Sequence, residues 1–272
     1  MRHLLLSTTL VAAALPAQAE TFKWAATTDP QTMDPHAVNS APVLGFLNNV
    51  YEGLVRRGTD MAIEGALAES WEPLGTEGWR FNLREGVTFH DGAAFTAQDV
   101  LFSYERASSE AADTASWFSP VSEVVVVDAF TIDFMTSAPN PLFPDSIANF
   151  MIMDKDWAEA NDAVVPAKDQ ETFATLNANG TGAFQLVERQ PGLTTVLEPF
   201  DAWWGEVEHN LTRAEFTPIQ NPATAVAALL SGEVDFINPV PIQDAERSKT
   251  ADGVDVIQGI EARVIMLGFG HE

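Results

Sequence analysis

Hydrophobic and polar side chains alternate most regularly in the segment WRFNLREG, residues 79–86. Every second residue from Trp79 to Leu83 is apolar, and the residues between them are polar or basic. This period of two is typical of a half-buried strand. The alternation resumes after Gly86, and the sequence HDG at 90–92 then predicts a turn.

A capped helix is predicted a few residues after this turn. The Thr96 hydroxyl can accept a free backbone N–H, while Asp99 can reach back to the start of the helix and favour its positive end. Apolar and aromatic residues then recur at helical spacing at positions 100, 101, 104 and 107. A second helix start is predicted at Asn221, which is followed by proline.

The rest of the pattern interleaves short strands with short helices. Further strands are predicted at 22–26, 124–127, 131–135, 184–189, 194–198, 214–219, 234–236, 254–257 and 263–269. Further helices are predicted at 43–54, 145–150, 154–160, 170–176 and 222–231. This mixture predicts an α/β or α+β protein.

The first 19 residues have the pattern of a secretory signal peptide. A short basic region at positions 2–3 precedes an apolar stretch at 4–15, and Ala17-Gln18-Ala19 is a typical cleavage site. A membrane anchor is disfavoured, because the apolar stretch is shorter than the ~20 residues that a span needs. No cysteine follows it, so there is no site for lipid attachment. We therefore expect a mature chain that begins at Glu20 in the periplasm.

Composition narrows the possible functions. The chain has no cysteine, so cysteine redox chemistry and cysteine metal ligation are excluded. Its formal net charge is −25, and the acidic residues are dispersed rather than grouped. A chain this acidic is repelled by nucleic acid and by anionic lipid surfaces, so neither is expected as a partner.

Several motifs in fixed order resemble the family 5 extracellular solute-binding proteins, the oligopeptide-, dipeptide- and nickel-binding receptors of ABC importers. The first motifs are WEP at 71–73, LREGVTFHDG at 83–92 and FTAQDV at 95–100. Weaker matches follow at 180–184, 197–205, 227–235 and 263–269. Pro199 stands where the family usually has a basic residue, and Gly270 where it often has asparagine.

The resemblance implies a periplasmic binding protein-like fold of the class II type with an inserted accessory lobe. Lobe I would comprise residues 20–50 and 177–272, and the inserted lobe residues 51–176. Family members are about twice this length, so the second ligand-binding lobe would be absent. We expect a piece of a longer protein that binds its ligand poorly by itself, and a natural one-lobe relative is the alternative.

The resemblance also implies candidate ligand-binding residues. They are Asn39, Ser40, Ala41, Trp117, Phe118, Asn149 and Asn238. For the first two the alternative is a helix N-cap, and for the two aromatic residues it is ordinary core packing. His90 and Asp91 are expected to fix their turn rather than to bind a metal.

The function implied is a periplasmic receptor that captures a peptide or similar small solute and delivers it to the permease of an ABC transporter. It would be a monomer without cofactor, metal or catalytic residues. A periplasmic hydrolase is an alternative, but no H-E-x-x-H, G-x-S-x-G or S-x-x-K motif is present. A chemoreceptor or chaperone partner could use the same fold.

Overall fold

The computed structural model of the protein describes residues 20–167 and 170–259, which form two larger β-sheets and a small one, with helices packed around them. The predicted signal peptide at 1–19 and the predicted strand at 263–269 lie outside the described residues.

The first sheet has five strands. In spatial order they are β11 (Phe236–Asn238), β1 (Glu20–Ala26), β10 (Leu211–Pro218), β9 (Thr194–Pro199) and β8 (Phe184–Gln190). β1 is parallel to both β10 and β11, whereas β10, β9 and β8 pair antiparallel. The carboxyl ends of β1, β10 and β11 therefore meet at one edge, which we call the carboxyl edge.

The second sheet is antiparallel and has four strands. In spatial order they are β4 (Ala68–Pro73), β5 (Gly78–Leu83), β7 (Thr131–Thr136) and β6 (Val121–Asp128). A separate two-stranded ribbon pairs β2 (Val55–Arg57) with β3 (Ile63–Gly65). Phe81 and Phe134 are fully buried with ring centroids 5.7 Å apart, so the face predicted from alternation is the core face.

The helices are short. They are α1 (Ala41–Leu47), α2 (Ala97–Ala107), α3 (Phe143–Ser146), α4 (Lys155–Ala160), α5 (Phe173–Leu176), α6 (Pro222–Ser231) and α7 (Ile242–Lys249), with a 3-10 turn at Ala115–Phe118. The predicted cap of α2 is confirmed, since the Thr96 hydroxyl accepts the amide of Gln98 and Asp99 accepts that of Thr96. Asn221 caps α6 in the same way.

Several predictions of regular structure were wrong, in whole or in their bounds. The helix predicted at 145–150 spans Phe143–Ser146, and the strand predicted at 234–236 spans Phe236–Asn238. The helix predicted at 43–54 ends at Leu47, because the next residues turn toward a glycine loop. The carbonyl of Val50 accepts the amide of Gly182, and that of Asn49 accepts the amide of Phe184. The strand predicted at 254–257 is irregular coil. Three short strands, β2 to β4, and helix α7 were not predicted.

A buried charged cluster connects the first sheet to the second. Asp34, in the loop after β1, is paired with Arg106 of α2, and both side chains are 1% exposed. The guanidinium binds the carboxylate at 2.5 and 2.6 Å, and its Nε donates to the carbonyl of Ala163 at 2.9 Å. Burial alone would raise the pKa of Asp34, but the hydrogen bond and charge of Arg106 outweigh it and lower the pKa.

A second contact between the sheets is made by the HDG turn. His90 lies against the glycine loop at 179–182: its Nε2 is 2.9 Å from the carbonyl of Gly182, and its Nδ1 accepts the amide of Gly180 at 3.3 Å. The amide of Asp91 donates to Asn179 at 3.1 Å. We call the charged cluster and this turn together the joint.

The chain at residues 49–51 leaves no room for a side chain at either glycine of this loop, Gly180 or Gly182. A Cβ at Gly182 would stand 2.6 Å from the carbonyl oxygen of Asn49, closer than real contacts allow. We expect Gly182→Ala to lower the free energy of unfolding by about 2–4 kcal/mol in urea denaturation. Gly45→Ala is the matched control, since a Cβ there meets nothing within 4 Å. Equal effects of the two substitutions would contradict the close packing.

A second prediction concerns acid. Arg106 can only donate, so it donates to Nδ1 of fully buried His36 at 3.0 Å, and Nε2–H donates to the carbonyl of Met151 at 2.9 Å. Burial and then the charge of Arg106 lower the pKa of His36 from 6.5 to about 4. The unfolded chain therefore takes up this proton at a higher pH than the folded chain. Stability should fall between pH 6.5 and about 4, by up to about 3 kcal/mol from this group.

The measurement is the free energy of unfolding at about pH 7 and about pH 5 for the wild type and for His36→Gln. Glutamine keeps a donor near Met151 and does not titrate. The variant should lose part of the pH dependence. His90, whose pKa is also lowered by burial, contributes in the same direction and remains in both proteins. An unchanged slope in the variant would contradict the assignment.

Candidate functional site

A groove of about 800 Å³ runs along one face of the first sheet beside α1, and we call it the sheet groove. Its walls are mainly aromatic. The ring of Trp24 lies 5.3 Å from that of Phe216 and 5.8 Å from that of Phe46. The other large apolar side chains that line it are Phe22, Phe184, Leu197, Leu211 and Phe236. Its volume is within the range of small-ligand sites.

Three polar residues of the groove lie at the carboxyl edge of the sheet, whereas Asn49 follows α1 and His209 precedes β10. Thr27 and Thr28 directly follow β1, and Asn238 is the last residue of β11. Ala41, the first residue of α1, lines the same end. Because ligands of open α/β sheets bind outside the carboxyl ends of parallel strands, this end of the groove is the candidate site.

Two of the seven predicted site residues, Ala41 and Asn238, line this groove. Asn39 and Ser40 immediately precede Ala41. The backbone amide of Asn39 donates to Asp113 at 3.1 Å, and Ser40 occupies the N-cap position of α1 without a hydrogen bond from its side chain. Ser40 therefore stands at the N-cap position, as the alternative interpretation had it, but its hydroxyl does not cap the helix.

The other three predicted residues lie away from the groove. Phe118 is 3% exposed and packs in the core of the second sheet, with ring centroids 4.8 Å from Phe150 and 5.2 Å from Tyr104. Trp117 packs partly buried against both sheets' cores, and Asn149 is exposed. This placement favours the packing alternative for Phe118, while the ligand role of all three stays a prediction.

The aromatic wall itself was not predicted as a site. The signal for it was present in β1, where Phe22 and Trp24 stand on either side of exposed Lys23 and share one face. His209 was also missed, and its ring stacks on Phe184 at 5.2 Å. Its position depends on how β10 pairs with its neighbours, which no local pattern reveals.

The residues that line the groove include one histidine, His209, and are otherwise apolar or neutral polar. Among residues 20–167 and 170–259, it contains no Asp, Glu, Lys or Arg side chain. Hydroxyl and amide groups at the carboxyl edge and aromatic surface along the sheet can therefore bind uncharged parts of a ligand. Charged ends would have to be paired by groups outside this lining.

The described part of the chain has neither a metal-binding cluster nor a helix suited to a membrane. In that part, no group of three or more His, Asp or Glu side chains is placed to hold a metal ion. Likewise, none of the helices that the structure describes combines the length and the apolar character needed to cross a membrane.

This chain is similar in sequence to known solute-binding proteins. The family model for bacterial extracellular solute-binding proteins, family 5 Middle, matches residues 62–272. The murein peptide-binding protein MppA of Escherichia coli K12 is 25% identical over 78% of this chain and 42% of its own length. The probable D,D-dipeptide-binding protein DdpA of the same organism is 29% identical, over 88% of this chain and 47% of its own. The chain thus spans about half the length of the curated relatives it matches.

Solved structures of binding proteins have the same fold over most of this chain. The AgaA binding protein of A. tumefaciens R10, in complex with agropinic acid, superposes with a TM-score of 0.77 at 26% identity, over 86% of this chain and 46% of that one. DppA of Helicobacter pylori, with the peptide STSA, gives a TM-score of 0.74 at 25% identity, over 86% of this chain and 49% of that one. The periplasmic binding protein fold predicted from the sequence is confirmed. The chain belongs to the family 5 bacterial extracellular solute-binding proteins.

Proposed function

We propose that this chain is part of the periplasmic substrate-binding component of an ABC importer, which captures a peptide or similar small solute and delivers it to the membrane permease. The observation that carries the proposal is the sheet groove, whose polar end lies at the carboxyl edge between Ala41 and Asn238. The family consists of solute-binding proteins rather than enzymes.

The ligand class is inferred from relatives and from the groove. The names of MppA and DdpA specify murein peptide and D,D-dipeptide, and H. pylori DppA holds a tetrapeptide. A peptide has apolar side chains and uncharged amides, which suit aromatic walls and the Thr27, Thr28 and Asn238 side chains. We therefore favour a peptide over a charged chelate for the portion bound in this groove.

We also propose the lobe boundaries expected from the sequence. The first sheet is built from strands within 20–26 and 184–238, and the second from strands within 68–136. The chain passes between them near residue 50 and again near 177, close to the glycine loop that His90 contacts. Residues 51–176 would then form the inserted lobe, and lobe I the remainder. The secreted, monomeric state remains part of this proposal.

The test is a titration of the isotope-labelled chain with the peptide Ser-Thr-Ser-Ala at millimolar concentration. Changes in the backbone amide chemical shifts show which residues the peptide affects. Shifts should cluster at residues 26–28, 41–46 and 236–238. Asn238→Ala should weaken binding by about tenfold, because a lost hydrogen bond costs about 1.4 kcal/mol.

The control is Asn82→Ala. The Asn82 side chain donates to Ser70 within the second sheet, whereas the groove lies on the first sheet. Removing this side chain should therefore leave the affinity unchanged. Shifts that cluster in the second sheet would contradict the proposed site. Binding that is lost equally in both variants would show a general effect on folding rather than a contact with the peptide.

A further inference from the structure

The end of strand β8 carries a charged side chain that is almost completely buried. The Arg189 side chain is 1% exposed, and the groups it binds lie mostly in the loop after β1. Its two terminal nitrogens bind the Asp29 carboxylate at 3.1 and 3.4 Å, and one of them also donates to the carbonyl of Pro30. The other donates to the buried Thr195 hydroxyl at 2.8 Å.

This arrangement connects two separate parts of the first sheet. Asp29 also accepts the backbone amide of Gly192, in the turn between β8 and β9, at 3.0 Å. Sheet register places that turn at the carboxyl edge, because Thr195 pairs with Phe216 and Phe216 pairs with Trp24. The β8–β9 hairpin and the loop at 27–30 are thus held together across the sheet.

The loop that Arg189 holds is a wall of the sheet groove. Thr27, Thr28 and Pro30 line the groove, whereas Asp29 is turned to Arg189 and does not. Arg189 is not a lining residue either, so it has no direct contact with the groove space. Its fork of donors engages a carboxylate, a carbonyl and a hydroxyl together, a geometry that a lysine ammonium cannot reproduce.

We propose that Arg189 is a positioning residue of the solute site: by binding Asp29 and Pro30 it fixes the 27–30 loop in the place where Thr27 and Thr28 face the ligand. Its consequence for affinity rests on the proposed function, but its effect on the loop does not. Loss of the fork frees the loop from the hairpin, so the two threonines no longer present their hydroxyl groups in a fixed arrangement. The loop would then become ordered only when the ligand binds, and the conformational entropy lost in that step would weaken the affinity.

The experiment combines hydrogen exchange with peptide binding on the full chain. The variants are Arg189→Met, which keeps the length of the side chain, Arg189→Lys, which keeps the charge, and Asp29→Asn, which keeps the shape of the acceptor. The control is Arg213→Met, because Arg213 is an arginine of the same sheet that pairs with Glu215 and Glu198 instead of the loop.

We expect exchange of the Gly192 amide, which donates to Asp29, to rise by about tenfold in Arg189→Met and less in the other two variants, with amides 22–25 of β1 unchanged. Affinity for Ser-Thr-Ser-Ala should fall by about fivefold to tenfold in Arg189→Met while the control keeps wild-type affinity. Arg189→Lys should restore only part of the loss.

Unchanged exchange of the Gly192 amide in both Arg189→Met and Asp29→Asn would overturn the proposal. So would loosened exchange together with wild-type affinity in Arg189→Met. If Arg189→Met does not fold, the amide exchange and the peptide affinity of Asp29→Asn decide whether the proposal holds. A wild-type chain that binds no peptide would count against the proposed function, and the positioning of the loop would then be decided by exchange alone.

Discussion

The joint between the two sheets depends on the burial of one charged pair, Asp34 and Arg106. Removing two charges from water is costly, and the cost is offset only when every donor and acceptor finds a partner. Here the guanidinium binds the carboxylate twice, a carbonyl of the segment after α4 and the ring of His36. Asp34 and His36 lie in the loop after β1 and Ala163 lies in the segment after α4, so the pair can form only when that loop, α2 and that segment have reached their final places.

The same joint explains what the most recognisable motif of the sequence does. The side chains of His90 and Asp91 were predicted to fix their own turn, and that of Asp91 does so by accepting a hydrogen bond from the amide of Ala93. His90, however, bonds across to Gly180 and Gly182, a loop about ninety residues later in the chain that carries another family motif. The two motifs are partners in one contact, and the glycines are needed there because the chain around Val50 passes too close for a Cβ. The motif therefore supports the joint rather than the ligand site.

Much of the local structure followed from the sequence because its causes are local. Strand β5 and its buried face came from alternation, α2 from a side-chain cap, and α6 from Asn221 with the following proline. The helix predicted to run to residue 54 was wrong because its end is fixed by hydrogen bonds to the glycine loop. Of the residues predicted to bind the ligand, Ala41 and Asn238 line the candidate groove, whereas Phe118 lies in the core, where packing around Phe150 places it.

The sequence by itself determined the class of fold, the family and the positions of most strands and helices, since periodicity, caps and motifs are encoded in neighbouring residues. Only the tertiary structure decided where the groove lies and which residues form it. Phe22, Trp24, Phe184 and Phe236 become one surface through strand pairing between opposite ends of the chain. Arg189 reaches Asp29 for the same reason, because the register of β8, β9, β10 and β1 places a hairpin turn beside a loop that is 160 residues away in sequence.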